Sequence, residues 1–188
     1  MSKIIRNQIV PHRRLFLKGL AALPLGLSAA SAQAAPRDLH LAFRHTHTDE
    51  HLRLAFRNRH GYIQPALNRI DWLLRDFRTG ESTRMDPRLY DMLHALGAAC
   101  GGDTFEIISG YRSPATNTML RKTRGGGVAK RSLHMDGKAM DIRLVGVDTV
   151  RLRDAALALG IGGVGYYPDS DFVHIDTGPV RSWGPGAA

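Results

Sequence analysis

The alternation of apolar and polar residues between positions 39 and 56 predicts a β-hairpin. Apolar residues recur at every second position in two runs, which are separated by a polar stretch typical of a turn. The first run is Leu39, Leu41 and Phe43, and the second is Leu52, Leu54 and Phe56. Because strand side chains point alternately to the two faces of a sheet, each run places its apolar residues on one face.

Helical spacing replaces the alternation in the next part of the chain. Between Pro65 and Phe77 the apolar residues recur every three or four positions, and Thr79-Gly80 closes the segment. A second helix is predicted to begin at Asp86-Pro87, where a capping residue precedes a proline, and to end at Gly101-Gly102. The sequence therefore predicts two helices after the hairpin.

Most of the remaining predicted elements are strands. They cover residues 105–108, 140–144, 164–167, 172–176 and 180–183, with a short helix starting at Ser113-Pro114 and a longer one over residues 148–159. Helices come early, strands come mostly late, and no regular βαβ repeat is present. This order predicts an α+β fold with an antiparallel sheet and helices packed on it.

The N-terminal segment has the features of an export signal. Arg13-Arg14 precede an apolar run that reaches about Ala30, and Ala32-Gln33-Ala34 matches a cleavage site. A twin arginine in this setting is typical of Tat-type signals, although His12 replaces the usual serine or threonine. The run is short for an uncleaved membrane anchor. We therefore predict a signal peptide over residues 1–34 and a periplasmic domain over residues 35–188, without a stable membrane span.

Charge and cysteine content agree with export. The whole chain carries a formal charge of +9, and removing the signal's five basic residues leaves +9 − 5 = +4. A basic exported protein suits an anionic partner such as the cell wall or a membrane surface, and export disfavours nucleic acid. The single Cys100 cannot form an internal disulfide and lies in an apolar helical pattern, so it is predicted to be a buried, inert thiol.

Candidate metal ligands lie in the second half of the chain. His134 precedes the strand predicted over residues 140–144, and Asp141 lies within that strand. His174 lies in a later strand, with Asp171 three residues before it. Two imidazoles and one carboxylate, with a fourth position left for water, form the ligand set of a catalytic zinc site. The additional carboxylate is a candidate general base.

The motifs around these residues resemble a known family. H-x-x-G-x-A-x-D from His134 to Asp141, followed by D-x-x-H from Asp171 to His174, resembles the zinc peptidases of the D-Ala-D-Ala carboxypeptidase and hedgehog superfamily. Within it, the chain resembles the YcbK-like murein endopeptidases. Further cues are the export signal, LRDFRTGE at 74–81, SGYRS at 109–113 and HIDTG at 174–178. The resemblance covers essentially the whole mature chain and implies a small α+β fold that hydrolyses peptidoglycan stem peptides and cross-links.

The resemblance also implies roles for single residues. His134, Asp141 and His174 correspond to the zinc ligands. Asp171 corresponds to the catalytic carboxylate, which takes a proton from the attacking water and passes it to the leaving amine. Arg112 corresponds to an arginine after the Ser-Gly-Tyr turn, which suits a substrate carboxylate or a developing oxyanion.

Each catalytic assignment has an alternative. Residues three apart on a strand face opposite ways, so Asp171 reaches the metal only if residues 169–171 are still loop, which Pro168 favours. Asp176 shares a strand face with His174 and is either a partner of that histidine or a competing base. Arg112 could instead form a structural ion pair.

Two other clusters are less specific. The early histidines lack an accompanying carboxylate motif and are interpreted as structural or incidental; they are His40, His45, His47, His51 and His60. The basic, glycine-rich loop over residues 121–131 is either a flap over the substrate or a solvated loop. It is not a phosphate loop, because no Gly-Lys-Ser/Thr follows its glycines.

These observations together predict an exported zinc metallopeptidase that opens peptidoglycan cross-links. No G-x-S-x-G elbow is present and the single cysteine lacks an activating pattern, which favours attack by activated water over a protein nucleophile. The alternatives are a zinc-containing module that binds the wall without cleaving it, and a carboxypeptidase that trims stem peptides. The sequence does not distinguish which cross-link bond is cut.

Overall fold

The computed structural model describes residues 38–123 and 128–186. The predicted signal peptide over residues 1–34 and residues 124–127 of the basic loop lie outside the described residues. The described part of the chain contains four α-helices and eight strands that form one sheet. The prediction of an α+β fold is therefore confirmed.

The eight strands form a mixed sheet. Their order is β3-β2-β1-β4-β5-β7-β6-β8. The strands are β1 Leu39–His45, β2 His51–Asn58, β3 Gly61–Tyr62, β4 Thr104–Ser109, β5 Ala139–Leu144, β6 Gly163–Tyr167, β7 Phe172–Asp176 and β8 Arg181–Trp183. Most neighbours are antiparallel, as expected, but β1 pairs with β4 and β6 pairs with β8 in parallel.

The parallel pairs have a simple topological origin. Two helices lie between β3 and β4 along the chain, and a long helical connection allows a strand to return beside β1 in the same direction. The strand β7 runs antiparallel to β6 along one of its edges. The chain then reverses direction again, so β8 runs parallel to β6 along the other edge. Patterns within single strands carry no information about these distant pairings.

The helices agree with the predicted segments except at one end. They are α1 Gln64–Leu73, α2 Arg88–Cys100, α3 Pro114–Thr123 and α4 Thr149–Leu159. The first helix ends at Leu73 and not near Phe77, because the chain then enters a turn that is held by side-chain hydrogen bonds to Asp76. Among the described residues, no helix combines the length and the apolar character that crossing a bilayer requires.

The core lies on one face of the sheet. In β5, Met140, Ile142 and Leu144 are buried in the apolar cluster that includes residues of α1, α2 and α4. Because side chains alternate along a strand, Asp141 and Arg143 point to the opposite face. That face carries the polar residues of the candidate site. Cys100 is buried in the core, as predicted.

Asp76 ties the turn after α1 to the beginning of α3. Its side chain is 1% exposed, and it accepts hydrogen bonds from the backbone N–H groups of Ser113 at 2.8 Å and Arg78 at 3.0 Å. Burial raises the pKa of Asp76, but hydrogen bonds from Thr116, Ser113 and Arg78 outweigh it, and the net pKa lies below its usual range. The carboxylate is therefore ionised and stabilises the folded chain.

We expect Asp76→Asn to lower the free energy of unfolding by about 2 kcal/mol at neutral pH, because the two N–H groups bind different carboxylate oxygens and the amide replaces one of these oxygens with a donor NH2 group. A carboxyl whose folded-state pKa is depressed stabilises the fold above its unfolded pKa, near 3.9, and loses this contribution as pH falls through the folded-state value. Urea unfolding at neutral pH and near pH 3 measures both effects. The exposed Asp154→Asn is the matched control. A difference in the free energy of unfolding between wild type and Asp76→Asn that stays the same at both pH values would contradict the prediction.

Candidate metal centre

The three predicted ligands come from adjacent elements on the open face of the sheet. Asp141 of β5 and His174 of β7 are paired positions of neighbouring strands. His134 lies on a short 3-10 turn, Leu133–Asp136, that leads into β5. All three side chains are buried, and one ligand atom from each lies within 4.8 Å of the other two.

The turn that carries His134 depends on Gly137. This residue has a positive φ of 66°, and a Cβ there would lie 2.6 Å from the carbonyl oxygen of Arg84. Its own carbonyl accepts a hydrogen bond from the N–H of Asp86 at 2.8 Å. Glycine at this position therefore allows the chain to reverse against the segment before α2 and to enter β5.

Three potential ligand atoms converge at the centre of the site. The Nε2 atom of His134 lies 3.2 Å from Oδ1 of Asp141 and 3.2 Å from Nδ1 of His174. The same Nδ1 atom lies 2.8 Å from Oδ1 of Asp141. A ring nitrogen can bind a cation only if it carries no hydrogen.

The outer hydrogen bonds of the two imidazoles indicate which nitrogen of each ring carries the proton. Nδ1 of His134 lies 2.7 Å from the carbonyl oxygen of Gly110, which can only accept, so the ring proton belongs on Nδ1. Nε2 of His174 lies 3.2 Å from the carboxylate of Asp176, which fixes the second proton on Nε2. Neutral rings oriented in this way direct two nitrogen lone pairs and one carboxylate oxygen at a common point. Such a donor set fits a metal cation.

The ionisation of Asp141 and of His134 agrees with this arrangement. Burial raises the pKa of Asp141, but the imidazoles of His134 and His174 outweigh it and hold the pKa of the carboxyl well below its usual range. Burial lowers the pKa of His134 and favours its neutral form. For His174, burial lowers the pKa, but hydrogen bonds to Asp141 and Asp176 raise the net value. The ionised Asp141 carboxylate thus supplies the negative charge that faces a cation, and His174 must give up a proton when a cation binds.

Asp176 supports His174 from behind. It has no exposed surface and accepts hydrogen bonds from the N–H groups of Gly163 at 3.0 Å and Gly178 at 2.8 Å. Arg181 donates a further bond of 2.6 Å. Of the two roles that the sequence allowed for Asp176, this geometry favours the partner of His174, because its acceptor positions are used by groups within the fold.

The structure brings Arg112 to the cluster but does not bring Asp171 there. Nη2 of Arg112 lies 3.7 Å from Oδ2 of Asp141. Asp171 follows a 3-10 turn and adopts a left-handed conformation with φ of 49°. Its carboxylate accepts hydrogen bonds from Thr149 at 2.9 Å and Arg143 at 3.1 Å. Residues 169–171 lie outside β7, as the resemblance required, yet the assignment of Asp171 as the base stays a prediction.

Aromatic side chains that the sequence did not single out form one wall of the depression around the cluster. The indole of Trp183 lies 5.1 Å from the His174 ring and donates a 2.9 Å hydrogen bond to the hydroxyl of Tyr167. The ring of Tyr167 in turn stacks on the ring of Phe172. A Cβ on Gly165 would lie 2.5 Å from the indole of Trp183, so the glycine makes room for the ring. A glycine between bulkier residues in a strand is the only signal in the sequence.

The early histidines do not form a second metal cluster. His45 is buried at the end of β1, where its Nδ1 accepts a 3.2 Å hydrogen bond from the N–H of His47, and the His47 ring stacks on Phe77. Burial lowers the pKa of His45 to about 4, so it is neutral at neutral pH. Within residues 38–123 and 128–186, the only grouping of three metal-ligating side chains is His134, Asp141 and His174. The interpretation of these histidines as structural agrees with this.

Comparison with known proteins places the chain in a family. Residues 31–183 match the family described as peptidoglycan L,D-endopeptidase MepK. The chain belongs to the MepK family. This membership confirms the resemblance that the motifs around His134, Asp141 and His174 indicated.

Two curated members of the MepK family cover most of the chain. A probable peptidoglycan L,D-endopeptidase MepK of Haemophilus influenzae is 41% identical over 167 residues, which is 88% of this chain and 88% of the relative. The peptidoglycan L,D-endopeptidase MepK of Escherichia coli K12 is 43% identical over 176 residues, which is 92% of this chain and 96% of the relative. This chain and its relatives are thus similar over nearly their whole lengths.

Among solved structures, the L-Ala D-Glu endopeptidase ChiX of Serratia marcescens matches part of the chain. The match has a TM-score of 0.36 and 21% identity, and covers 50% of this chain and 80% of ChiX. Assignment to the MepK family rests on the sequence matches alone.

Proposed function

We propose that this protein is an exported, zinc-dependent peptidoglycan L,D-endopeptidase that hydrolyses peptide cross-links of the cell wall. The observation that carries the proposal is the convergence of two imidazole lone pairs and a carboxylate oxygen on the open face of the sheet. Two relatives that are described as peptidoglycan L,D-endopeptidases also support the proposal. A depression lined by Arg112, Phe172 and Trp183 lies beside the cluster.

The donor set favours zinc over harder cations. Zinc accepts nitrogen and oxygen ligands together, whereas magnesium and calcium prefer oxygen ligands alone. His134, Asp141 and His174 would hold the ion, and all three line the depression. When bound, zinc polarises a carbonyl group and lowers the pKa of water toward about 7, which is the chemistry that peptide hydrolysis requires.

The surrounding side chains orient the substrate and stabilise charge. Arg112 lies beside Asp141, where its guanidinium can donate hydrogen bonds to an oxyanion or to a substrate carboxylate. Phe172 and Trp183 line the same depression and provide apolar surface against which a peptide can pack. Asp176 keeps the His174 ring in one orientation.

Proton transfer by Asp171 requires a change of side-chain contacts. To accept a proton from the attacking water, its carboxylate must leave Arg143 and Thr149. An Asp171→Ala variant tests the base that the resemblance predicted. A fall in kcat of about 100-fold or more supports the role, whereas turnover within about twofold of wild type removes it.

Export completes the proposal, because peptidoglycan lies outside the cytoplasmic membrane. The Arg13-Arg14 pair and the cleavage motif that ends at Ala34 support transport by the Tat pathway and release into the periplasm. The formal charge of +4 for residues 35–188, from +9 − 5, suits an anionic wall.

The direct test is digestion of purified cross-linked muropeptide dimers by the zinc-loaded protein, followed by liquid chromatography and mass spectrometry. We expect L,D-linked dimers to become monomers, chelator to stop the reaction and added zinc to restore it. Matched dimers with D,D cross-links identify the bond that is cut, and we expect them to remain intact.

Two other results would replace the proposal. Loss of one terminal residue without opening of the dimer would identify a carboxypeptidase. Intact dimers of both kinds in a protein that carries zinc would favour a module that binds the wall without cleaving it.

A further inference from the structure

A second depression adjoins the metal centre on the same face of the sheet. It shares Arg112, Asp141 and Phe172 with the depression around the cluster, so the two are continuous. The additional lining includes Arg78, Arg143 and His47. A peptide that passes over Asp141 would therefore extend from one depression into the other.

Three guanidinium groups line this second depression, and their charges are not matched equally. Arg143 lies 3.4 Å from Glu106 and 3.1 Å from Asp171, which neutralise it. Arg112 faces Asp141 at 3.7 Å. Arg78 lies over the ring of Phe77 at 4.1 Å, and within the described residues it forms no ion pair with a carboxylate. Of these three guanidinium groups, Arg78 is thus the one that no carboxylate of the described residues pairs with.

Stacking on Phe77 holds the Arg78 side chain in place. The ring of His47 stacks on Phe77 with 3.9 Å between centroids and an angle of 15°. A second group at 4.1 Å from the same ring must occupy its other face, so Phe77 lies between His47 and Arg78. Burial, and then the charge of Arg78, lowers the pKa of His47. Arg78 is therefore the cation of this stack.

The backbone segments that carry Arg78 and Arg112 are joined to each other. The buried Asp76 accepts hydrogen bonds from the N–H of Arg78 and from that of Ser113, the residue after Arg112. The N–H of Tyr111 also donates a 2.7 Å hydrogen bond to the carbonyl of Leu74. These bonds fix the backbone positions of the two arginines around one depression before a ligand arrives, which reduces the entropy lost on binding.

We propose that Arg78, together with Arg112, forms a carboxylate-binding subsite that selects substrates with a free carboxylate on the residue next to the scissile bond. The inference deepens the proposed function and rests on it. A planar guanidinium fork binds a carboxylate with paired, charge-assisted hydrogen bonds. The substrate class is a cross-linked peptide in which one linking amino acid retains a carboxylate that is not used in the scissile bond. A substrate with a carboxamide at that position loses the contact.

Steady-state kinetics with two matched substrates test the subsite. One cross-linked dimer carries the free carboxylate, and the other carries a carboxamide in its place. For the carboxylate substrate, we expect Arg78→Gln to raise KM about 10- to 100-fold, the range for a lost hydrogen bond between charged groups, with kcat changed by less than about threefold. For the carboxamide substrate, wild type and variant should have the same KM.

Two further variants separate the role in binding from a role in folding. Arg78→Lys keeps the charge and the contact with Phe77 but loses the fork, so it should recover part of the lost affinity. The exposed Arg69→Gln on α1 removes the same charge away from the depression and should behave as wild type. An equal loss by Arg78→Gln on both substrates would show a structural role and overturn the inference. So would an unchanged KM for the carboxylate substrate.

A protein that cleaves neither dimer refutes the proposed function, and binding then tests the subsite by itself. Isothermal titration of the zinc-loaded protein with the same two dimers gives their dissociation constants. A preference for the carboxylate of about tenfold or more that disappears in Arg78→Gln supports the subsite. Equal affinities for the two dimers in the wild-type protein overturn it.

Discussion

Replacing Asp141 with asparagine is expected to remove zinc from the protein and to lower kcat/KM by about 1000-fold or more. Asp141 is the one carboxylate of the proposed ligand set, and the outer hydrogen bonds of His134 and His174 turn the other nitrogen of each ring toward it. An amide oxygen carries no formal charge and is a weaker ligand for a divalent cation. The change also removes the negative charge that faces Arg112.

Metal content and turnover together test the Asp141→Asn prediction. Zinc per chain is measured by plasma mass spectrometry after dialysis against buffer without metal, and activity is measured on the L,D-linked dimer. The exposed Asp169→Asn, on the turn before β7, is the matched control and should keep both zinc and activity. A variant at position 141 that retains full zinc and full turnover would show that Asp141 is not a ligand.

The second large effect is expected for Asp176→Ala. Alanine leaves His174 without its acceptor and leaves the N–H groups of Gly163 and Gly178 without theirs. Loss of the carboxylate that orients a metal-ligating histidine typically weakens metal binding about 10- to 100-fold. Because Asp176 is fully buried, the groups that lose their acceptor stay unsatisfied, which lowers the free energy of unfolding by about 3 kcal/mol. Arg181 adds little to this loss, because its side chain keeps contact with solvent.

Zinc affinity and stability are separate readouts for Asp176→Ala. Competition with a chromophoric chelator gives the dissociation constant of zinc, and urea unfolding of the metal-free protein gives the stability. Asp176→Asn retains one acceptor oxygen, so it should lie between wild type and alanine in both measurements. If the alanine variant binds zinc as tightly as wild type, Asp176 does not orient His174.

The elements around the metal centre could be predicted from the sequence because their signals are local. Alternation at positions 39–56 and helical spacing after Asp86 correspond to β1, β2 and α2. The candidate ligands could be predicted through the spacing of His134, Asp141 and His174, and the structure brings their side chains together. Burial on one side of a strand or helix imposes a period on the residues, and a metal imposes a choice of residue types.

The base and the subsite depend on contacts that have no local signal. Asp171 was predicted at the metal from its place in the D-x-x-H motif, but its left-handed backbone conformation directs the carboxylate to Thr149 and Arg143. Arg78 is part of the LRDFRTGE segment at 74–81, and its position beside Arg112 depends on the buried Asp76. Neither neighbourhood can be read from residues close in the chain.

The sequence by itself determined most of the secondary structure, the α+β class and the choice of His134, Asp141 and His174 as candidate metal ligands, since each of these follows from periodicity or from the chemistry of a short motif. Tertiary structure alone decided the parallel pairing of β1 with β4, the orientation of His174 by Asp176 and the joining of two depressions across Asp141. These features are set by strands and turns that lie far apart in the chain. Their free energy comes from burial and hydrogen bonds that exist only when the whole sheet has formed.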